Sequence, residues 1–141
     1  MKISARNQIK GTIINVTEGA VNGIVAIDLG GQTMKASITM ESIRELGLAE
    51  GIEALAIMKA TSVMFATGDQ SIAGISARNQ LAGTVASVTK GAVNGHVTLE
   101  LACGGRVSGS ITNEAIEELG LVEGAKALAI VKATDFMVGV E

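Results

Sequence analysis

"ISARNQ" runs from Ile3 to Gln8 and returns unchanged from Ile75 to Gln80. The residues that follow have drifted, from "IKGTIIN" in the first occurrence to "LAGTVAS" in the second. The return divides the chain into two copies of one unit. The fold then depends on what a single copy can build.

The repeat extends well beyond the six residues. An offset of 72 carries Ser4 onto Ser76, Gly11–Thr12 onto Gly83–Thr84 and "GAVNG" at Gly19–Gly23 onto Gly91–Gly95. Further on the offset is 73: "ELGL" at Glu45–Leu48 meets Glu118–Leu121, and "KAT" at Lys59–Thr61 meets Lys132–Thr134. The second copy thus carries one extra residue near "LACGGRVSG", as a hairpin variation would produce. The stretch "ATGDQSIAG" between the copies is small, polar and Gly-containing, so it reads as a linker. This gives units at 1–68 and 75–141, joined by 69–74. Each unit, at about 65 residues, is near the lower limit for an adequate core, and packing against another unit or chain would help.

Within a copy, Val25, Ile27 and Leu29 alternate with Ala26 and Asp28, and Val97, Leu99 and Leu101 alternate with Thr98 and Glu100. That is the period-two pattern of a half-buried strand. "GTIINV" and "GTVASV" are β-branched and open on Gly, so they also read as strands. "TMESIRELG" differs: Thr39 suits an N-cap, Glu41 the first turn and Gly47 the stop of a short helix, with Ile43 and Leu46 on one face. Thr112, Glu114, Ile116, Leu119 and Gly120 repeat the pattern. "ALAIMKA" and "ALAIVKA" are apolar on both faces, one of them mostly small, which predicts a strand buried on two sides at a contact between subunits. Each copy reads strand–strand–strand–short helix–strand–strand. The fold class is all-β with short helices: two tandem five-stranded OB-like barrels, with a flatter sandwich as the alternative.

Composition narrows the function. Of 141 residues, 48% are hydrophobic, yet there is no Trp, Tyr or Pro and there are two Phe. No apolar run reaches the ~18 residues of a membrane span, and "MKISARNQIK" has no apolar core of a signal peptide. One cysteine, Cys103, cannot form an internal disulfide, which fits a reducing, cytoplasmic setting. One His and one Cys all but exclude a His/Cys metal cage. A net charge of −3 and the lack of stacking aromatics argue against a nucleic-acid surface.

Three islands carry chemistry. Ser4, Ala5 and Arg6, with Ser76, Ala77 and Arg78, combine a hydroxyl and a guanidinium. An ordinary surface strand is the plainer reading of one "SAR", and its exact return among drifting neighbours favours an anion site. Lys59, Ala60 and Thr61, with Lys132, Ala133 and Thr134, add an ammonium and a second hydroxyl. Together they suit a small tetrahedral dianion, which leaves water only if donors replace its hydration shell. "GAVNG" supplies Gly19, Ala20, Val21 and Asn22, and Gly91, Ala92, Val93 and Asn94. Its Gly and Asn tolerate positive φ, so it reads as a turn whose N–H groups could also form an anion nest. His96 stands where the first copy has Ile24, so it is not a shared position.

"SARNQ" followed by "GAVNG" and a strand ending in "KAT" resembles the Mop domain of molbindins, small cytoplasmic molybdate-binding proteins. The resemblance covers nearly the whole chain, twice. It implies OB-type barrels in a ring of six, hence a homotrimer of two-barrel chains, with molybdate or tungstate bound at interfaces between barrels. It places Ser4–Arg6 and Ser76–Arg78 at one end of a site, and Lys59–Thr61 and Lys132–Thr134 at the facing end from a neighbouring barrel. The "GAVNG" turns would serve a second site type. It implies storage or homeostasis of molybdenum, with no catalysis, no catalytic cofactor, and no nucleic-acid or membrane partner. The competing readings are an OB-fold nucleic-acid-binding module, a ligand-sensing regulatory subunit and an oxyanion-processing enzyme. The last would need a nucleophile, base or metal present in both copies.

Overall fold

The computed structural model describes residues 1–141. The first repeat forms β1 (Asn7–Thr17), β2 (Asn22–Asp28), β3 (Thr33–Thr39), α1 (Met40–Glu45), β4 (Glu53–Met58) and β5 (Met64–Thr67). The second forms β6 (Asn79–Lys90), β7 (Asn94–Leu101), β8 (Arg106–Thr112), α2 (Asn113–Glu118), β9 (Lys126–Val131) and β10 (Met137–Gly139). A 3-10 turn follows β4 at Ala60–Ser62 and another follows β9 at Ala133–Asp135. No helix is long and apolar enough to cross a membrane.

The strands make two curled five-stranded antiparallel sheets, an OB-like barrel each. Their orders are β10-β4-β1-β2-β3 and β5-β9-β6-β7-β8. The last strand of each repeat therefore completes the other repeat's barrel. β5 pairs with β9 (Met64 opposite Ile130), and β10 pairs with β4 (Met137 opposite Ile57). The sequence copies and the barrels do not coincide: 64–67 and 137–139 are exchanged.

Each barrel turns on its long first strand. β1 pairs with β4 through Thr12 and with β2 from Thr12 onward. At Gly11 an ideal Cβ would lie 2.5 Å from the Asp28 carbonyl oxygen, and at Gly83 2.5 Å from that of Glu100. These glycines let neighbouring backbone cross close to the strand where it changes partner. A bulge follows in each copy, between Ile13 and Asn15 and between Val85 and Ser87, and adds twist.

The helices form where the sequence predicts. The Thr39 and Thr112 hydroxyls accept hydrogen bonds from the backbone N–H of Ser42 and Ala115, both at 3.1 Å. Gly47 and Gly120 follow in the left-handed region, at φ 64° and 62°. Ile43 and Ile116 bury the inner faces.

β4 and β9 are buried on both faces, as their sequences predict. The cause is within the chain. Ala54, Ala56 and Met58 join the barrel core, while Leu55 and Ile57 cluster outside it with Ala5. At Gly139 on the exchanged strand, an added Cβ would meet Met1 and Ile57 side chains at 2.8 and 3.0 Å. On the second barrel the linker is held beside the sheet, as the Gln80 side chain accepts from Ile72 N–H (2.6 Å) and donates to its carbonyl (2.9 Å). Two-sided burial therefore does not require the subunit contact expected from sequence.

The two barrel interiors merge into one apolar cluster. Two asparagines clamp the barrels together. Asn7 donates through Nδ2 to the Ser108 carbonyl (2.7 Å) and accepts at Oδ1 from Ser108 N–H (2.8 Å). Asn79 does the same to Lys35, at 2.8 Å in each direction. Both are buried, at 4% and 3% exposure, so their amides must be satisfied. Asn79→Ala would leave both Lys35 backbone groups unpaired. We expect it to cost about 2 kcal/mol, read as a lower denaturation midpoint without a change in m-value.

Candidate functional site

The β1–β4 register sets Asn7 opposite Met58, so Arg6 and Lys59 lie side by side just past the end of the ladder. Ala5 is buried beneath this end, and Gln8 Nε2 donates to the Ala5 carbonyl at 3.0 Å, fixing the segment before the strand. Gln80 makes the equivalent bond to Ala77 at 2.9 Å. Opposite, the 3-10 turn presents Ala60 and Thr61. The result is a cleft of about 280 Å³ lined by Ser4, Ala5, Arg6, Asn7, Lys59, Ala60 and Thr61, and by His96 and Ser108 from the other barrel.

Its chemistry is one-sided. Two permanent cations, three hydroxyls and an imidazole line it, and no carboxylate does. A small dianion fits such a donor set. The two roomier grooves, of about 430 Å³ each, are less suited. One is lined by Asp69 and Glu100 beside Lys126, the other by Glu117 and Glu123 beside Lys90. Their carboxylates would oppose an anion. No group of three or more His, Cys, Asp or Glu side chains is placed to hold a metal ion.

All six first-copy residues of "SAR" and "KAT" thus share one cleft. Within the chain, Lys59–Thr61 reach it from the same repeat as Ser4–Arg6, through strand pairing. The facing barrel contributes His96 and Ser108. In the second copy Asn79 stands opposite Val131, which sets Arg78 beside Lys132 in the same way. Ser76 and Arg78 are exposed there, as are Lys132 and Thr134, with Ala77 and Ala133 partly covered.

The "GAVNG" turns are less alike than their sequences. Gly19 and Asn22 line a cleft of about 260 Å³ with Thr17, Glu18, Gly23, Ile24 and Ser37, while Ala20 and Val21 are exposed. Glu18 brings a carboxylate, and its counterpart is Lys90, which pairs with Glu117 at 3.0 Å. In the second turn Gly91 N–H donates to the Asn94 carbonyl (2.8 Å), and Asn113 Nδ2 donates to the Gly91 carbonyl (2.9 Å). Ala92 and Val93 are exposed. No residue of either turn has positive φ. The glycines allow close backbone approach: a Cβ on Gly23 would lie 2.9 Å from the Thr17 carbonyl oxygen, and one on Gly95 3.0 Å from that of Thr89.

Sequence reasoning missed Ser108 and set His96 aside. Both come from the opposite barrel, and no local pattern announces them. The clamp residue Asn7 lay in plain view within "ISARNQ", but its backbone partner is 101 positions away.

The chain is thus an all-β protein of paired OB-like barrels with a carboxylate-free, cationic cleft between them. The TOBE-domain family model matches residues 3–65 and 75–138, and the chain belongs to that family. Over 100% of both chains it is 47% identical to a solved structure of the cytoplasmic molybdate-binding protein ModG with molybdate bound, and the two superpose with a TM-score of 0.94. It is 41% identical over 135 residues to the molybdenum-pterin-binding protein MopA of Rhodobacter capsulatus, covering 95% of this chain and 51% of that one. It is 39% identical over 142 residues to the molybdenum transport protein ModE of Herbaspirillum seropedicae, covering 100% and 52%. The chain spans about half the length of these two curated relatives.

Proposed function

We infer that this protein binds molybdate, or the similarly sized tungstate, non-covalently in the cytoplasm and serves molybdenum storage or homeostasis without catalysing a reaction. The observation that carries this reading is the convergence of Ser4–Arg6 and Lys59–Thr61 on one cleft without a carboxylate. The full-length similarity to a molybdate-bound ModG supports it. Ser76–Arg78 with Lys132–Thr134 form the equivalent site of the second copy. The protein works as a homo-oligomer, a trimer. Val21 and Val93, 72% and 70% exposed at the two "GAVNG" tips, are apolar groups that contacts between chains would cover. The second site type belongs at those contacts. Glu18 sets a carboxylate beside the first turn, and the second turn has Lys90 there, paired with Glu117.

Calorimetry with molybdate, tungstate, sulfate, phosphate and a single-stranded oligonucleotide tests this. Molybdate and tungstate should bind, the oligonucleotide should not, and phosphate should bind at least about tenfold more weakly. At neutral pH every phosphate carries at least one proton, and the cleft has no carboxylate to accept a hydrogen bond from it. Equal affinity for phosphate and molybdate would refute the assignment, and tight oligonucleotide binding would favour the nucleic-acid reading. Sedimentation of the micromolar protein should show a trimer, and a monomer with or without molybdate would rule out the oligomer.

A further inference from the structure

The two repeats offer the same "SAR" and "KAT" residues, but the surfaces facing them differ. The Asn7–Ser108 and Asn79–Lys35 clamps have the same geometry, so each barrel faces the other's cleft with corresponding positions. The first cleft meets His96 and Ser108. The corresponding positions in the first barrel are Ile24, opposite Ser37 as His96 is opposite Ser110, and Lys35, held by Asn79 as Ser108 is by Asn7. An imidazole and a hydroxyl thus stand in the second barrel where the first has an aliphatic side chain and a permanent cation.

We propose that His96 is an anion-contacting residue of the first cleft alone, and that its protonation tightens oxyanion binding there while the second cleft stays insensitive to pH between 8 and 6. The inference rests on the oxyanion-binding reading above. Imidazole is the side chain that changes charge in this range. The groups around His96 are few. Across the cleft stand the fixed cations Arg6 and Lys59. On its own sheet it is flanked by Thr89 of β6 and Ser110 of β8. α2 packs on the opposite face, at Gly95, and the nearby Lys90 is tied to Glu117 of that helix. No carboxylate lines the cleft to hold the proton, so the bound dianion is the partner that would stabilise the imidazolium. Protonation and anion binding are then linked, and each favours the other.

The chain has one histidine, so its imidazole resonances in a proton NMR spectrum need no assignment. At a fixed pH near 7, saturating molybdate should move these resonances from their positions in the free protein. Calorimetry in the Arg78→Ala protein, which retains the first cleft, should show molybdate affinity rising roughly fivefold from pH 8 to pH 6. His96→Gln should remove that rise, and Ile24→His in the Arg6→Ala protein should introduce one at the second cleft. Imidazole resonances unmoved by molybdate, or the same pH profile in His96→Gln, with molybdate still bound, would overturn this inference and leave the proposed function standing. Absence of molybdate binding to the parent protein at either pH would overturn both.

Discussion

Arg6→Ala is expected to weaken molybdate binding about ten- to a hundredfold in the cleft it lines with Lys59, and to leave the cleft at Arg78 near its parental affinity. A dianion gives up a strong hydration shell on entering, and each charge-assisted contact replaces part of it. Losing one such contact costs roughly 1.5–3 kcal/mol. The side chain is exposed and Ala5 beneath it is untouched, so the fold should not suffer. Strand pairing also fixes which residues couple. Arg6 and Lys59 line one cleft, so their double alanine variant should be non-additive in calorimetry. Arg6 and Lys132 belong to different clefts and should act independently. If Arg6 couples to Lys132 instead, the site is assembled from opposite repeats.

Phe65→Ala is expected to destabilise the protein by about 3–5 kcal/mol, the usual range for removing a buried aromatic. For a chain of this size that lowers the melting temperature by roughly ten degrees or more. Phe65 lies on exchanged strand β5 and reaches Gly109 of β8, where an added Cβ would sit 2.4 Å from its ring. The first barrel has the complementary pair, Ala36 at the position of Gly109 and Val138 at that of Phe65. A larger β8–β5 partner on one side is matched by a missing side chain on the other. The damage should therefore appear in the second barrel, although residue 65 belongs to the first repeat. Amide hydrogen exchange should show protection lost first in β8 and β9. Loss confined to β1 through β4 would contradict the strand exchange.

The exchange marks where sequence reading ends. Alternation at Val25–Leu29 and Val97–Leu101, the Thr caps, and the glycines at 47 and 120 are local signals, and each element they announce is present. Which edge a four-residue strand such as β5 joins is a different matter. Two similar copies present two similar edges, and nothing within Met64–Thr67 distinguishes them. The same limit applies at the site. Arg6 and Lys59 could be singled out by type and by exact return, but their adjacency comes from a ladder between residues about 50 apart. "ISARNQ" itself proves to be composite: Ser4 and Arg6 face the cleft, Ala5 is buried, Gln8 fixes the loop, and Asn7 joins the barrels. Four separate constraints on six residues explain their exact return better than anion binding alone. His96 was unreadable for the opposite reason. Its departure from the repeat counted against it, whereas facing a different cleft makes that departure informative.

Diffraction from crystals grown with molybdate, recorded above the molybdenum absorption edge, locates the ligand directly. Anomalous peaks are expected between Ser4–Arg6 and Lys59–Thr61 and between Ser76–Arg78 and Lys132–Thr134, within hydrogen-bonding reach of both segments of the same repeat. Molybdenum bound elsewhere, with both of these clefts empty at saturating ligand, would contradict the assignment of the site.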